Sequence, residues 1–262
     1  MVALSILLMC LWTFLSVIAT QYAVGYIMVA ILGAKTFDKP VWTAVYSAVV
    51  YILALVLVIG MPALIKKKHN KTEQKQKNTT KQKAVVRRKL MRTETRMELG
   101  LSGLPTWTDI GLAPIGFIVS LVLAAGLVAL FTLFPWFNAE EVQNVGFNVY
   151  MSGGDRIIAF ITLVVMAPIA EEIIFRGWLY GKIREKLTGK MPDVAGMIIS
   201  ILIVSVLFGV VHLQWNVGVN VFALSVVLCG LREITGTIYA GILTHMIKNG
   251  VAFFLLFVVG MG

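Results

Sequence analysis

Three charged side chains interrupt an oily run in the stretch APIAEEIIFRGWLYGK, residues 167–182. On a helix, Glu172 and Arg176 are i,i+4 neighbours and pair along one face. Glu171 points about 100° away from that face, so it has no partner within its own helix. Burying the Glu172–Arg176 pair can serve helix packing alone. A lone carboxylate inside a hydrophobic segment is instead a functional candidate, because desolvation is costly unless the group has work to do.

Histidine supplies the next constraint. His69 lies in a polar, basic stretch and reads as solvated surface, whereas His212 and His245 sit in the apolar segments SVLFGVVHLQW and AGILTHMIKNGVAFF. Asn249 follows His245 by one helical turn and shares its face. A lone histidine on an apolar face is more often a satisfied packing residue than a catalyst, and His245 with Asn249 reads as interhelical hydrogen-bonding glue. Together with Glu171, the two histidines and Asn249 make a hydrolytic set. A carboxylate beside a histidine can take a proton from water and make it nucleophilic, and a second histidine with an amide can hold a developing oxyanion. Glu171, His212 and His245 are also chemically suited to ligate a divalent metal such as zinc, with a bound water as nucleophile. No Ser–His–Asp or Cys–His arrangement and no HExxH motif is present. Cys10 and Cys229 both fall in apolar segments and read as small hydrophobes.

The elements that must position these groups are membrane helices. The chain is 262 residues long, 58% hydrophobic and 14% charged, with a mean hydropathy of +0.87; a soluble domain is about half apolar and a quarter charged. Oily runs predict an all-α, polytopic bundle of about seven transmembrane helices with the active site inside it. Their expected spans are residues 2–33, 41–65, 109–134, 155 to past 178, 193–212, 217–230 and 236 to the C-terminus. The first run lacks a basic n-region and outlasts a signal-peptide core, so it is expected to be a mature helix. The segment KLTGKMPDV predicts a turn near residues 190–192. Glu171 and His212 then lie about 30 Å of helix from that turn on opposite arms of a hairpin, at one depth. The seventh helix raises His245 and Asn249 towards the same level.

The net charge of +10 has one source. Residues 66–100 hold thirteen Lys and Arg against three acidic residues. No aromatics interleave them, which argues against a nucleic-acid partner. The positive-inside rule places this loop in the cytoplasm, near anionic membrane lipid. The segment 138–154, with two glutamates and no Lys or Arg, is then outside. The basic link after residue 182 and the Arg232–Glu233 link are inside, and the C-terminus is outside. The expected organisation is two N-terminal helices over residues 1–65, a basic cytoplasmic loop over 66–108, and the remaining helices over 109–262, with a catalytic core at about 155–260.

Three motifs occur in order: EEIIFR (Glu171 to Arg176) fits EExxxR, FGVVH (Phe208 to His212) fits FxxxH, and HMIKN (His245 to Asn249) fits HxxxN. In this order and membrane context the chain resembles the CPBP family, the CAAX-protease and bacteriocin-processing membrane proteins, also called the Abi family. The resemblance covers about residues 155–260. It implies an intramembrane endopeptidase acting on a peptide or membrane-associated protein; the short loops and compact length point to a bacterial cell membrane. The resemblance also implies that Glu171 and His212 activate water while His245 and Asn249 stabilise the oxyanion, with Glu172, Arg176 and Phe208 in support. Both a metallo-endopeptidase and a metal-free glutamate mechanism are compatible with it. The alternatives are a non-catalytic immunity or scaffold protein of the same fold, and an ion-coupled transporter built on the same buried groups. No paired broken segments of inverted repeats support the transporter.

Overall fold

The computed structural model describes residues 1–64, 98–141, 143, 146, 147 and 152–260, and leaves out the side chains of residues 34 and 36. The basic segment centred on residues 66–97, including His69, lies outside the described residues, so its expected cytoplasmic placement is not addressed. Among the described residues seven helices are long and apolar enough to cross a membrane. They are α1 (Val2–Leu32), α2 (Pro40–Leu64), α3 (Trp107–Phe131), α4 (Gly153–Leu187), α5 (Asp193–Val210), α6 (Trp215–Thr235) and α7 (Tyr239–Val259). The protein is an integral membrane protein with an all-helical fold. Apolar side chains such as Leu4, Ile52, Ile118 and Val206 are exposed on the outer faces, as lipid-facing surfaces require.

α4 is the axis of the site. It packs against α2, α5, α6 and α7, while α3 lies across α6 and α7. Pro168 has no N–H to give its preceding turn. The helix absorbs this by widening into π-helical turns at Ile161–Met166, and it widens again at Ile173–Tyr180. Glu171 and Glu172 occupy the short α-helical piece between the two, Ala167–Glu172. Such π-bulges re-aim side chains and recur at functional sites.

Two expected boundaries differ from the structure. α5 ends at Val210, so His212 sits in the following turn, where Leu213 adopts a left-handed φ of 55°. The apolar run continued through that turn and concealed it. At the other end of α6, Arg232 and Glu233 belong to the last helical turn, not to a link. α6 runs to Thr235 and closes on Gly236, whose φ of 70° is the left-handed cap that glycine adopts freely. The charges ended the hydropathy signal one turn before they ended the helix.

The polar end of the bundle is stitched together. Thr106 and Asp109 form a capping box at the start of α3, and Asp109 Oδ1 accepts a 3.1 Å hydrogen bond from Thr237. The Ile238 N–H donates to the Gly100 carbonyl. Glu233 accepts from Tyr180 at 2.6 Å and from Arg184 at 2.9 Å, joining α4 to α6. At the opposite end Trp136 meets Trp215, with ring centroids 5.5 Å apart, as in an interfacial aromatic belt.

α5 and α6 cross at a glycine pair. A Cβ on Gly209 would stand 2.9 Å from the Gly218 carbonyl oxygen, a backbone atom that cannot move aside alone. Gly209→Val is therefore expected to force the helices apart at a cost of about 1–3 kcal/mol. The check is a lowered unfolding temperature of the purified protein in detergent.

Candidate active site

α4 divides its two carboxylates between different environments. Glu172 is fully buried, whereas the Glu171 side chain keeps 18% of its exposure. Arg176 Nη1 donates to Glu172 Oε1 at 2.8 Å. The guanidinium also lies over the Phe208 ring, 4.3 Å from its centroid, a cation–π contact. The predicted pairing of Glu172 with Arg176 is thus present, and α7 adds a third member. His245 Nδ1 lies 3.1 Å from the same Oε1; a carboxylate oxygen only accepts, so Nδ1–H is the donor. Gly241 makes room for this arrangement, since a Cβ there would come within 3.0 Å of Glu172 Oε2.

Glu171 turns the other way. Its Oε2 lies 3.8 Å from His245 Nε2, and its Oε1 accepts a 2.9 Å hydrogen bond from the Tyr51 hydroxyl of α2. His245 therefore stands between the two glutamates, one ring nitrogen towards each. His212 Nδ1 donates to the Phe208 carbonyl at 2.8 Å, satisfying an orphan carbonyl at the end of α5. In the neutral ring that bond fixes the tautomer and makes Nε2 the acceptor. Glu171, His245 and Lys248 all interact electrostatically with His212. Among the described residues no direct hydrogen bond joins Glu171 to His212.

Phe208 explains the aromatic position of its motif. Its ring is bordered by His212 at 5.1 Å, His245 at 6.0 Å and Phe175 at 4.9 Å between centroids. One fully buried ring thus spaces the guanidinium and both histidines. Asn249 sits one turn beyond His245, and its Nδ2 donates to the Leu163 carbonyl in the widened part of α4 at 2.9 Å. Of the predicted residues, Glu171 and His245 face each other at 3.8 Å, His212 and His245 both border the Phe208 ring, and Asn249 is tied to the α4 backbone. Two residues that sequence reasoning passed over join them. Tyr51 carries no motif signal. Lys248 lies inside HMIKN and interacts electrostatically with Glu171; a cation between two polar motif positions of an oily helix was the available signal.

Residues 153–251 match the family model described as Type II CAAX prenyl endopeptidase Rce1-like. The match agrees with the resemblance to the CPBP family. It begins with α4, ends within α7, and contains Glu171, Glu172, Arg176, Phe208, His212, His245 and Asn249. The part of this chain that is similar to that endopeptidase family is therefore α4 to α7. No curated protein and no solved structure matches it.

A metal centre on Glu171, His212 and His245 is the other chemistry that the Rce1-like segment could carry. Among the described residues no three or more His, Cys, Asp or Glu side chains are grouped to hold one ion. Glu171 Oε1 is taken by Tyr51, and His245 Nδ1 is taken by Glu172. Those partners leave Glu171 Oε2 and His245 Nε2, 3.8 Å apart, as the atoms a metal would take, and a carboxylate on the other ring nitrogen is how a ligating histidine is commonly held.

Proposed function

We propose that the protein is a glutamate-dependent intramembrane endopeptidase and that a prenylated C-terminal CAAX peptide is the substrate to test first. The observation that carries this reading is the accessible Glu171 carboxylate, 3.8 Å from His245 Nε2 and in the field of His212. The Rce1-like match over these helices supports the substrate class.

In this reading a water lies between Glu171 Oε2 and the unprotonated Nε2 of His212. Glu171 takes its proton, and the hydroxide oxygen bonds to the scissile carbonyl carbon. The carbonyl π pair moves onto oxygen. The proton passes from Glu171 to His245 Nε2, so that His245, anchored at Nδ1 by Glu172, donates to the oxyanion. Asn249 spends one amide hydrogen on Leu163 and offers the other. When the tetrahedral species collapses, the C–N bond breaks and the departing amine takes up the proton, leaving a carboxylic acid and an amine; the acid then gives its remaining proton to the amine or to water. Glu172, Arg176 and Phe208 hold His245 and His212 at their stations. No step requires a metal.

The experiment is cleavage of a fluorogenic prenylated CAAX peptide by purified protein in detergent, with and without chelator. Wild type is expected to cleave in both. His212→Ala is expected to lose about 100-fold or more in kcat, within the range of a lost general acid–base group, while its unfolding temperature stays near wild type. Full activity in His212→Ala would remove histidine from the mechanism. Loss of wild-type activity with chelator, restored by zinc, would overturn the metal-free reading.

A further inference from the structure

All the motif residues lie in α4 to α7, yet the shortest contact to Glu171 comes from outside the matched segment. Tyr51 stands midway along α2, and its hydroxyl donates to Glu171 Oε1 at 2.9 Å. Among the described residues, the other polar side-chain contacts of α2 stay within the N-terminal pair. Tyr46 donates to the Gln21 carbonyl of α1, Ser47 donates to its own helix at Thr43, and the Leu57 carbonyl accepts from Trp12 of α1. Among the described residues, Tyr51 is the only side chain of α2 that hydrogen-bonds to α4.

We infer that Tyr51 is a positioning residue of the active site, holding the Glu171 carboxylate so that Oε2 faces His245 and the water. The inference rests on the reading of Glu171 as the base. Three physical facts carry it. The terminal torsion of a glutamate is broad and roughly two-fold, so a carboxylate without a donor samples orientations that aim neither oxygen at a reactant. A phenol hydroxyl facing a carboxylate donates, and a bond to a charged acceptor is stronger than a neutral one. The donor also sits on a stiff side chain with two χ angles, on a helix that packs against the piece of α4 carrying Glu171. Nothing in α4 orients Glu171 in this way, because Glu172, Arg176 and Phe208 act on one another and on His245. Lys248 of α7 interacts electrostatically with Glu171 but, among the described residues, makes no hydrogen bond that would aim the carboxylate. The N-terminal helices thereby contribute to chemistry and not only to membrane anchoring.

Tyr51→Phe removes the oxygen and keeps the ring, and Tyr46→Phe makes the same change away from the site. Both are measured with the CAAX peptide beside wild type and Glu171→Gln. Tyr51→Phe is expected to lower kcat about 10- to 100-fold, the scale of a misaimed catalytic group, with KM and unfolding temperature unchanged. Tyr46→Phe is expected to match wild type. A second readout is the infrared carboxylate band that disappears in Glu171→Gln, which should shift in Tyr51→Phe because the bond to it is gone. An unchanged kcat in Tyr51→Phe overturns the inference, as does a change confined to KM. If Tyr51→Phe is inactive because it is destabilised, the infrared band decides: an unshifted band overturns the inference and a shifted one upholds it. Full activity in Glu171→Gln would instead bring down the reading of Glu171 as base, and with it the role given to Tyr51.

Discussion

Glu171→Gln is expected to lower kcat for the CAAX peptide by about 10²–10⁴-fold, the span associated with loss of a general base, and to leave the protein folded in the membrane. The two parts of that expectation come from different observations. Activity falls because an amide oxygen cannot accept a proton from water, whatever its position. Folding survives because Glu171 keeps 18% of its side-chain exposure and because its neighbours tolerate the exchange. The Tyr51 hydroxyl can donate to a glutamine oxygen as well as to a carboxylate, and the 3.8 Å gap to His245 is too long to be a bond that folding depends on. KM should change little, since the base contributes to the transition state more than to substrate binding. Glutamine is therefore the informative substitution, and alanine would add a cavity. Wild-type turnover in Glu171→Gln would eliminate Glu171 as the base and return weight to a non-catalytic scaffold of the same fold.

How far the sequence reveals this site varies residue by residue. Hydropathy runs locate all seven helices because lipid imposes a pattern that few other environments do. The i,i+4 spacing of Glu172 and Arg176 predicts their pairing because both lie on one helix, where geometry is local. The hairpin argument brings His212 near Glu171 because the turn between α4 and α5 is short. Beyond that range the reading fails in specific ways. His245 serves Glu172 through Nδ1 as well as facing Glu171, and ring orientation is a tertiary property that spacing does not encode. Tyr51 is 120 residues from Glu171, with no motif to mark it among other tyrosines in oily segments. The helix ends two residues before the expected His212, and nothing in the hydropathy marks that end, because Val210 and Val211 continue the apolar pattern into the turn. Lys248 is legible as a cation between the two polar motif positions of an oily helix.

Arg176→Ala is expected to be the most damaging single change to the fold, costing about 3–5 kcal/mol, the range for removing one partner of a buried ion pair. Arg176 is 1% exposed and Glu172 not exposed at all, so no water replaces the lost guanidinium. Glu172 Oε2 has no hydrogen-bond partner among the described residues, which leaves the carboxylate with the His245 contact alone. The Phe208 ring loses the cation over its face, and with it one of the groups that fix the spacing of His212 and His245. Arg176→Lys should not restore the protein, because an ammonium lacks the extended guanidinium whose Nη1 bonds Glu172 while its carbon lies over the Phe208 ring. Removing the charge on both sides separates desolvation from packing. Glu172→Gln combined with Arg176→Met is expected to recover much of the lost unfolding temperature without recovering activity, since His245 then loses the charged acceptor that orients its ring. Thermal unfolding in detergent and the peptide assay, run on the same preparations, give the two readouts. A double variant no more stable than Arg176→Ala would show that the pair stabilises through its shape and contacts rather than by cancelling two buried charges.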